Sequence, residues 1–514
     1  MNMVLLNGKD LKINDLKQIA LNNKPISISS EAINNVKDSF DFLSKFISNK
    51  HIYGINTGFG PMAQFKIDDH KQIELQYNLI RSHSTGFGPW LNEAGSKAVL
   101  VSRINSLIRG NSGINPDLIT LLVNMSNKNI LPLIPTHGGV GASGDLVQLA
   151  HLALAIIGEG EVYYNGTIVN TSDAFKIEKL KPFNITLREG IAILNGTSAM
   201  TGLAALNLTY FKTLLEWMIA FSAIINEIME AFDDHFSMEL NGVKNHNGQQ
   251  VIASTIRDII SDSTLIRQRD NHWHKDDSKN FFSEKVQEFY SIRCIPQILG
   301  PILDTFNYAR MVVENELNST SDNPIVISEA NNVFHGGNFH GDYISLEMDK
   351  LKLIATKLSM LSERQFNFLV NHNINKKLPS FLNLLTPGLN FGVQGMQFTA
   401  TSTTSENQTL STSSYIHSIP NNNDNQDIVS MGFNAANIAS KIVDNSFEVV
   451  AIEAVAILQA IDYLKISTKL SSFNKNIYEQ LRNIFPVIKE DRVTYKEQQT
   501  LKEYLKNNEL QLIK

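Results

Sequence analysis

The stretch TSAMTGLAALNLTYFKTLLEWMIAFSAIINEIMEAF, residues 197–232, decides the fold class of this chain. Apolar side chains recur along it every three to four positions, at Leu203, Leu206, Tyr210, Leu214, Met218, Phe221 and Ile225. This spacing gives a helix one continuous apolar face. Residues 343–372 and 433–466 have the same character, and helices of this length bury such faces by packing on one another. The sequence therefore predicts a mostly α fold, with a bundle of long helices.

The composition of the chain changes near Asn195. Residues 1–195 mix short apolar segments with glycine-rich turns, which predicts a smaller, mixed N-terminal domain. Residues 196–470 contain the long helical runs and are expected to form the central helical bundle. The charged and amphipathic residues 471–514 are expected to form a C-terminal helical tail. We therefore expect three consecutive parts along the chain.

The composition is that of an ordinary globular protein and argues against several kinds of partner. The 514 residues are 43% hydrophobic and 19% charged, with a formal net charge of −6. A negative net charge argues against a basic surface that would bind nucleic acid. No continuous run approaches the roughly 20 apolar residues of a membrane helix. The single cysteine, Cys294, excludes an internal disulfide and a cysteine-rich zinc site. We expect a cytoplasmic protein that acts on small molecules, without metal, nucleic acid or membrane.

A glycine-rich loop surrounds one serine in HGGVGASGDLVQLAH, residues 137–151. Its residues 139–144 match the G-x-G-x-x-G pattern of dinucleotide-binding loops, but Pro132 and Pro135 stand where that motif needs a central parallel strand. The G-x-S-x-G pattern of a nucleophile elbow fails because Asp145 replaces the last glycine. A plain turn that leads into the following apolar helix stays open as an interpretation.

A chemical interpretation is that Ala142, Ser143 and Gly144 react with one another. The Gly144 nitrogen attacks the Ala142 carbonyl carbon, and loss of water closes a five-membered ring. Loss of the Ser143 hydroxyl as a second water leaves an exocyclic methylidene group. Gly144 has no Cβ to block the close approach. The product is an electrophile, which ordinary side chains do not provide, and it suits removal of an amine from an unactivated carbon without an external cofactor.

Several further motifs occur in an order that one enzyme family shares. They are YGINTGFG (53–60), GGVGASGDL (138–146), LNGTSAM (194–200), YSIRCIPQILG (290–300), NSTSDNP (318–324), GGNFHGD (336–342) and NQDIVSMG (425–432). Through them, nearly the whole chain resembles the aromatic amino acid ammonia-lyases, which are the histidine, phenylalanine and tyrosine lyases with a self-formed methylidene-imidazolone. The resemblance implies that Ala142, Ser143 and Gly144 form this group. It also implies a mostly helical homotetramer with active sites shared among subunits.

The resemblance also implies roles for residues outside the loop. Tyr53 resembles the tyrosine that removes the β-proton of the substrate, for which its phenol must be partly ionised. Tyr290 and Arg293 match the YSxR motif, in which the arginine holds the substrate carboxylate through two hydrogen bonds. Asn195 resembles the residue that bonds the ring and orients the substrate. Phe339 resembles the family's phenylalanine beside the ring, and Glu406 resembles a carboxylate near the substrate amine or side chain. The polar residues that match the lining of the substrate pocket are Gln287, Asn425 and Gln426.

The residues Ser82 and His83, in IRSHSTG, match two positions of the family. The resemblance implies that the residues at these positions determine which substrate is chosen. Phenylalanine-selective members have apolar residues there, so a polar pair argues against phenylalanine. His83 could bond either an imidazole or a phenol hydroxyl. Val147 and Gln148 replace the Ala-Pro that follows ASGDL in histidine lyases, and the runs at 335–350 and 417–432 look closest to bacterial tyrosine lyases. The sequence therefore favours conversion of L-tyrosine to p-coumarate.

Three other functions stay open on the sequence. Histidine ammonia-lyase activity, which converts L-histidine to urocanate, is the main alternative. An aminomutase returns the amine to the β-carbon and uses the same ring. A catalytically inactive helical scaffold would keep the fold, but it would have no need for the intact set of Tyr53, Ser143, Asn195, Tyr290 and Arg293. Structural roles for individual members of this set, such as a buried tyrosine or a helix cap, also stay open.

Overall fold

A computed structural model describes residues 3–48, 50–272, 280 and 285–513 of the chain. Helices dominate it, and in chain order they are α1 Ile13–Ala20, α2 Ser30–Phe46, α3 Gln72–His83, α4 Glu93–Leu107, α5 Pro116–Asn127, α6 Leu146–Ile156, α7 Thr171–Glu178, α8 Glu189–Leu194, α9 Ser198–Ile228, α10 Met238–Gly242, α11 Asn247–Ile259, α12 Tyr290–Arg293, α13 Ile295–Leu317, α14 Asp342–Val370, α15 His372–Asn375, α16 Gln394–Leu410, α17 Gly432–Leu464, α18 Ser472–Ile484 and α19 Tyr495–Asn507. Short 3-10 helices lie at Gly60–Met62, Asp69–Lys71, Asp233–Phe236, Arg269–His272 and Ser380–Leu382. The predicted mostly α fold is confirmed.

The strands are short and form small separate sheets. They are β1 Val4–Leu6, β2 Ile26–Ile28, β3 Phe87–Trp90, β4 Leu131–Pro132, β5 Pro135–His137, β6 Glu161–Tyr164, β7 Thr167–Asn170, β8 Ile325–Ile327 and β9 Asn332–Phe334. β1 pairs with β2 in parallel, whereas β3 with β5, β4 with β6, β6 with β7 and β8 with β9 are antiparallel. β5 leads directly into the glycine-rich loop and pairs with β3, which follows α3 by a few residues.

The chain divides into two compact units, and each is assembled from three separate stretches. Unit 1 consists of Met1–Thr209, Ala309–Lys350 and Ser413–Ser440, and unit 2 consists of Tyr210–Tyr308, Leu351–Thr412 and Lys441–Lys514. All the strands given above belong to unit 1. The consecutive parts predicted from the sequence, 1–195, 196–470 and 471–514, divide the chain differently, and they stay a prediction.

The long helical runs expected from periodicity correspond to α9, α14 and α17. In α9, Leu214, Met218 and Phe221 of the predicted stripe are 0% exposed. By length and composition, the helix is also long and apolar enough to cross a membrane. The sequence analysis did not predict this, because polar residues interrupt the apolar run. However, 89% of its most apolar window is buried inside the protein, and a buried core helix passes the same test. The burial of α9 is that of a core helix.

A carboxyl group on α17 is buried within unit 2 and gives the fold a testable pH dependence. Glu453 is 0% exposed, Ser362 Oγ donates to its Oε2 at 2.5 Å, and burial raises the pKa of this carboxyl from 4.5 to about 8. Between these two values the folded protein keeps a proton that the unfolded chain has released. The free energy of unfolding therefore falls as the pH rises through this window.

We expect Glu453→Gln to remove this contribution, because glutamine can still accept from Ser362 but does not titrate. The measurement is the thermal unfolding midpoint of both proteins between pH 4.5 and pH 9. The wild type should lose stability relative to the variant as the pH rises. Glu161→Gln, at an exposed position in unit 1, serves as control and should follow the wild type. A constant difference between Glu453→Gln and the wild type at every pH would contradict the prediction.

Candidate active site

Three helices of unit 1 pack against one another and bring their ends to the glycine-rich loop. α3, α6 and α8 are in mutual contact. α3 ends at His83, α6 begins at Leu146 directly after the loop, and α8 ends at Leu194, directly before Asn195. The packing therefore gathers side chains from three distant stretches of sequence around Ser143.

The glycine-rich loop is enclosed by the backbone of Gly196 and the side chain of Ser430, and two of its glycines permit this. Gly144 has φ +72°, and a Cβ there would lie 2.1 Å from the Gly196 carbonyl oxygen. Gly141 has φ +79°, and a Cβ there would lie 2.0 Å from Ser430 Oγ. The Asp145 N–H donates to the Gly196 carbonyl oxygen at 2.8 Å, and the Ser430 hydroxyl donates to the Gly141 carbonyl oxygen at 3.0 Å. Any side chain at either glycine would displace the loop.

Each oxygen of Ser143 accepts a hydrogen bond from a side-chain amide. Asn195 Nδ2 donates to the Ser143 backbone oxygen at 3.0 Å, and Gln426 Nε2 donates to Ser143 Oγ at 2.8 Å. Asn195 is 3% exposed, and its Oδ1 has no hydrogen-bond partner among the residues that the structure describes. Two of the residues predicted from the motifs therefore contact the predicted reactive serine directly.

A cavity of about 390 Å³ opens beside Ser143. The predicted site residues that line it with Ser143 are Tyr53, His83, Asn195, Asn425 and Gln426. Motif reasoning did not predict its apolar wall, which includes Phe59, Met62, Phe65, Ile67, Leu75, Leu79 and Ile191. The segment after TGFG and the apolar face of α3 were the available signals. A cavity of this size, whose wall combines apolar side chains with polar ones, suits a small aromatic molecule that also carries polar groups.

The hydroxyl of Tyr53 is held by a backbone donor. The Gly60 N–H donates to the Tyr53 hydroxyl oxygen at 3.1 Å, and the ring meets Phe59 edge-on with centroids 6.1 Å apart. The Tyr53 N–H donates in turn to His335 Nε2 at 3.4 Å. An N–H donor stabilises negative charge on the oxygen that accepts it. The arrangement suits a tyrosine that takes up a proton from a molecule in the cavity.

The ring of His83 has a defined hydrogen-bonding direction. Its Nδ1 lies 3.0 Å from the Leu79 carbonyl oxygen and 3.0 Å from Ser82 Oγ. Because a carbonyl oxygen only accepts, we assign the proton to Nδ1, which leaves Nε2 of the neutral ring as an acceptor. The Ser82 side chain lines the same cavity. His83 can therefore accept one hydrogen bond from a polar ring in the cavity.

Two buried ionisable residues next to the loop were not predicted as part of the site from the sequence. Asp145 is 0% exposed, and burial raises the pKa of its carboxyl to about 7, although the Met200 N–H donates to its Oδ2 at 2.8 Å. Arg103 on α4 is also 0% exposed and contacts the Asn195 turn. The glycine-rich loop and this turn thus rest on two buried ionisable groups, of which Arg103 stays charged near neutral pH.

Other predicted residues lie in unit 2. Tyr290 is 70% exposed, and the guanidinium carbon of Arg293 lies 4.7 Å from its ring centroid. Arg293 Nε donates to the Glu288 carbonyl oxygen at 2.9 Å. Gln287 and Tyr290 line a second cavity of about 630 Å³ within this unit. Gln287, Tyr290 and Arg293 are therefore close together, and they are not among the residues that line the cavity beside Ser143.

Glu406 and Phe339 are also not among the residues that line the cavity beside Ser143. Glu406, on α16, accepts from Lys441 Nζ at 2.6 Å and from Asn445 Nδ2 at 2.8 Å. The hydrogen bond from Lys441 lowers the pKa of its carboxyl. Phe339 is half-buried in the segment before α14, where the Gly341 N–H donates to the Gly141 carbonyl oxygen at 3.0 Å. Phe339 is thus near the glycine-rich loop in the chain fold.

No group of three or more His, Cys, Asp or Glu side chains could hold a metal ion within the part of the chain that the structure describes. The sequence profile described as aromatic amino acid lyase matches residues 11–483. This chain belongs to the aromatic amino acid lyase family. The enzyme class and the resemblance drawn from the motifs are confirmed.

Relatives of this lyase differ in the reaction that they are named for. It is 39% identical over 448 residues to tyrosine 2,3-aminomutase of Myxococcus sp. (strain Mx-B0), across 86% of this chain and 85% of the relative. It is 37% identical over 509 residues to histidine ammonia-lyase of Staphylococcus aureus (strain JH9), across 98% of each. The crystal structure of tyrosine aminomutase from Streptomyces globisporus superposes with a TM-score of 0.94 at 33% identity, across 98% of this chain and 97% of that one. The family is thus shown, whereas the substrate is left open between tyrosine and histidine.

Proposed function

We propose that this lyase converts L-tyrosine to p-coumarate and ammonia, and that it does so in the cytoplasm. The observation that carries the proposal is His83 Nε2, an acceptor in an otherwise largely apolar cavity beside Ser143 and Tyr53. The phenol hydroxyl of tyrosine can donate to this acceptor. Phenylalanine would leave it unpaired, and a site built for a hydroxyl strongly rejects the ring that lacks one.

The proposal includes a methylidene-imidazolone formed from Ala142, Ser143 and Gly144, and the residues present fit that group. Gly144 approaches the Gly196 carbonyl oxygen more closely than any Cβ permits, and Ala142 is 4% exposed. When formed, the group supplies an electrophile for the substrate amine. The Asn195 amide, bonded to the Ser143 backbone oxygen, is placed to stabilise negative charge on that atom. No metal and no external cofactor are part of the proposal.

Tyr53 is proposed as the base that removes the β-proton of the substrate. It lines the same cavity as Ser143 and His83, so a tyrosine whose hydroxyl meets His83 can place its amine and β-carbon between the other two. The Gly60 N–H donates to the Tyr53 oxygen at 3.1 Å and so fixes the position of this oxygen in the cavity. Gln426 and Asn425 supply amides to the same wall of the cavity.

We further propose a homotetramer in which other subunits complete each site. Arg293 would hold the substrate carboxylate as a bidentate partner, with Tyr290 and Gln287 beside it. The 70% exposure of Tyr290 in the single chain supports a role for this segment in a contact between subunits. Phe339 and Glu406 are proposed neighbours of the ring and of the substrate amine or side chain, as the family resemblance implies.

The substrate proposal predicts a preference that one variant should reverse. With L-tyrosine, L-histidine and L-phenylalanine supplied separately, we expect p-coumarate to form fastest. Replacing His83 by Phe should lower kcat/KM for tyrosine relative to phenylalanine by about 100-fold, because the acceptor for the hydroxyl is lost. His70→Phe, at an exposed position of unit 1, is the control and should keep the wild-type ratio. The measurement is ultraviolet absorbance of the unsaturated acid together with released ammonia.

Two other products would overturn this assignment in different ways. Urocanate as the main product would make the protein a histidine ammonia-lyase, a candidate favoured by the S. aureus relative and by the ability of His83 Nε2 to accept from an imidazole N–H. β-Tyrosine as the main product would make it an aminomutase, a candidate favoured by the Myxococcus relative. If no product formed and the intact mass were unshifted, the inactive helical scaffold would be the remaining candidate.

A further inference from the structure

Arg103 is a buried cation that contacts the backbone of the Asn195 turn. Its side chain, on α4, is 0% exposed. Its Nη2 donates to the Asn195 carbonyl oxygen at 2.9 Å and also to the Ala192 carbonyl oxygen, and its Nη1 lies 3.4 Å from Ser198 Oγ. Burial lowers the pKa of the guanidinium to about 10, so it stays charged near neutral pH. One side chain thus holds the end of α8 and the start of α9.

The guanidinium lies where the end of helix α8 has carbonyl groups that lack hydrogen-bond partners. The last carbonyl groups of a helix have no partner within the helix and carry its negative dipole end. α8 ends at Leu194, so the Ala192 and Asn195 oxygens are such groups, and Nη2 of the guanidinium donates to both. Gly196 leaves room for it, because a Cβ there would lie 2.3 Å from Arg103 Nη1.

The side chain of Asn195 depends on this backbone for its direction. Its Nδ2 donates to the Ser143 oxygen, but its Oδ1 has no hydrogen-bond partner among the residues described. No second side-chain bond therefore holds the amide in its orientation. A small rotation of the turn would move Nδ2 away from the Ser143 oxygen, and nothing at Oδ1 would oppose it.

We propose that Arg103 is a positioning residue, which acts through the backbone of Asn195 to aim its amide at the Ser143 oxygen. The inference rests on the proposed function, in which charge on that oxygen is stabilised during ammonia release. It assigns Arg103 no contact with substrate. Its effect is therefore expected in kcat rather than in substrate binding.

The first test is Arg103→Lys, because lysine keeps the charge but is one atom shorter, so its ammonium nitrogen does not reach the position from which Nη2 donates to both carbonyl oxygens. We expect kcat for ammonia release to fall by about 10- to 100-fold, as small misplacements of reacting groups do. KM should stay within about threefold, since uniform binding is not affected. The intact mass should remain two waters below that of the encoded chain. An unchanged kcat, or an unshifted mass, would overturn the proposal.

The second test is a double-mutant cycle with Asn195→Ala. If Arg103 acts through the Asn195 amide, Arg103→Lys should lower the residual kcat of Asn195→Ala by less than about twofold, because the group that it aims is absent. Equal losses in both backgrounds would show a general structural role instead. If the wild type lacks lyase activity on all three amino acids, the proposed function fails first, and that result is separate from any outcome of the cycle.

Arg109 offers a matched control in the same unit. Its Nη1 donates to the carbonyl oxygens of Gly8, at 2.7 Å, and Asn318, at 2.5 Å, so it also joins backbone segments through a guanidinium. Arg109→Lys should lower thermal stability and keep the wild-type kcat. An equal loss of kcat in Arg109→Lys would contradict the assignment to Arg103. Should Arg103→Lys not fold, Arg103→Gln takes its place in the cycle, because its amide is uncharged and two bonds shorter than the guanidinium and therefore also loses the bonds to both carbonyl oxygens.

Discussion

A Ser143→Ala protein should fold as the wild type does and release no measurable ammonia from L-tyrosine, a loss on the order of 10³-fold or more. Alanine has no hydroxyl to lose, so the exocyclic methylidene cannot form and the site lacks its electrophile. The structural cost is small, because ring formation in the wild type also removes Ser143 Oγ, so neither protein keeps the hydrogen bond that Gln426 Nε2 donates to this hydroxyl in the uncyclised chain. The bond from Asn195 goes to the backbone oxygen and is retained.

Intact mass and activity together make this test decisive. The wild type should be two waters lighter than the encoded chain, whereas Ser143→Ala should not show that loss. Ser84→Ala is the control, since Ser84 Oγ donates to the Ile80 carbonyl oxygen at 2.8 Å near the end of α3 and does not line the cavity. It should keep both the mass shift and the activity. Full activity in Ser143→Ala would exclude the proposed electrophile.

Periodicity predicted the longest helices because each presents an apolar face that repeats with the helical period. α9, α14 and α17 agree with the predicted runs to within a few residues at each end except the C-terminal end of α9. α13 was not predicted, and Pro301 within it interrupts the pattern on which such a prediction depends. Each of the two units is assembled from three separate stretches of chain. Analysis of amino-acid composition compares only neighbouring stretches of sequence, so it could not predict this arrangement.

Motifs predicted most of the polar residues of the candidate site, whereas Asn78, Asn422, the apolar wall and the buried support were missed. Ser143, Asn195 and Gln426 stand in distinctive short motifs at the ends of helices or in loops, where sequence patterns are most specific. Arg103 stands inside α4, where every position from Gly95 to Leu107 is buried. A helix buried on all sides has no polar face, so periodicity gives no sign that a charged residue there has a special contact.

The Tyr53→Phe protein should form the electrophile and still be nearly inactive. Removing the hydroxyl takes away the proposed base, and loss of a positioned general base lowers rates by about 10²- to 10⁴-fold. The ring remains to pack edge-on against Phe59, and only the Gly60 N–H loses its acceptor. Such a loss costs about 1 to 3 kcal/mol of stability, so the fold should be kept. The intact mass should stay two waters below the encoded value, in contrast to Ser143→Ala.

Tyr77 gives this experiment a matched control. Its hydroxyl accepts from the Ile185 N–H at 3.3 Å, the same kind of bond that the Tyr53 hydroxyl makes with Gly60, and it does not line the cavity. Tyr77→Phe should therefore lose a comparable amount of stability and keep kcat. If Tyr53→Phe retained most of the activity, the β-proton would have to leave to another group. If it lost the mass shift instead, Tyr53 would act in forming the electrophile, and the separation of roles between Tyr53 and Ser143 would fail.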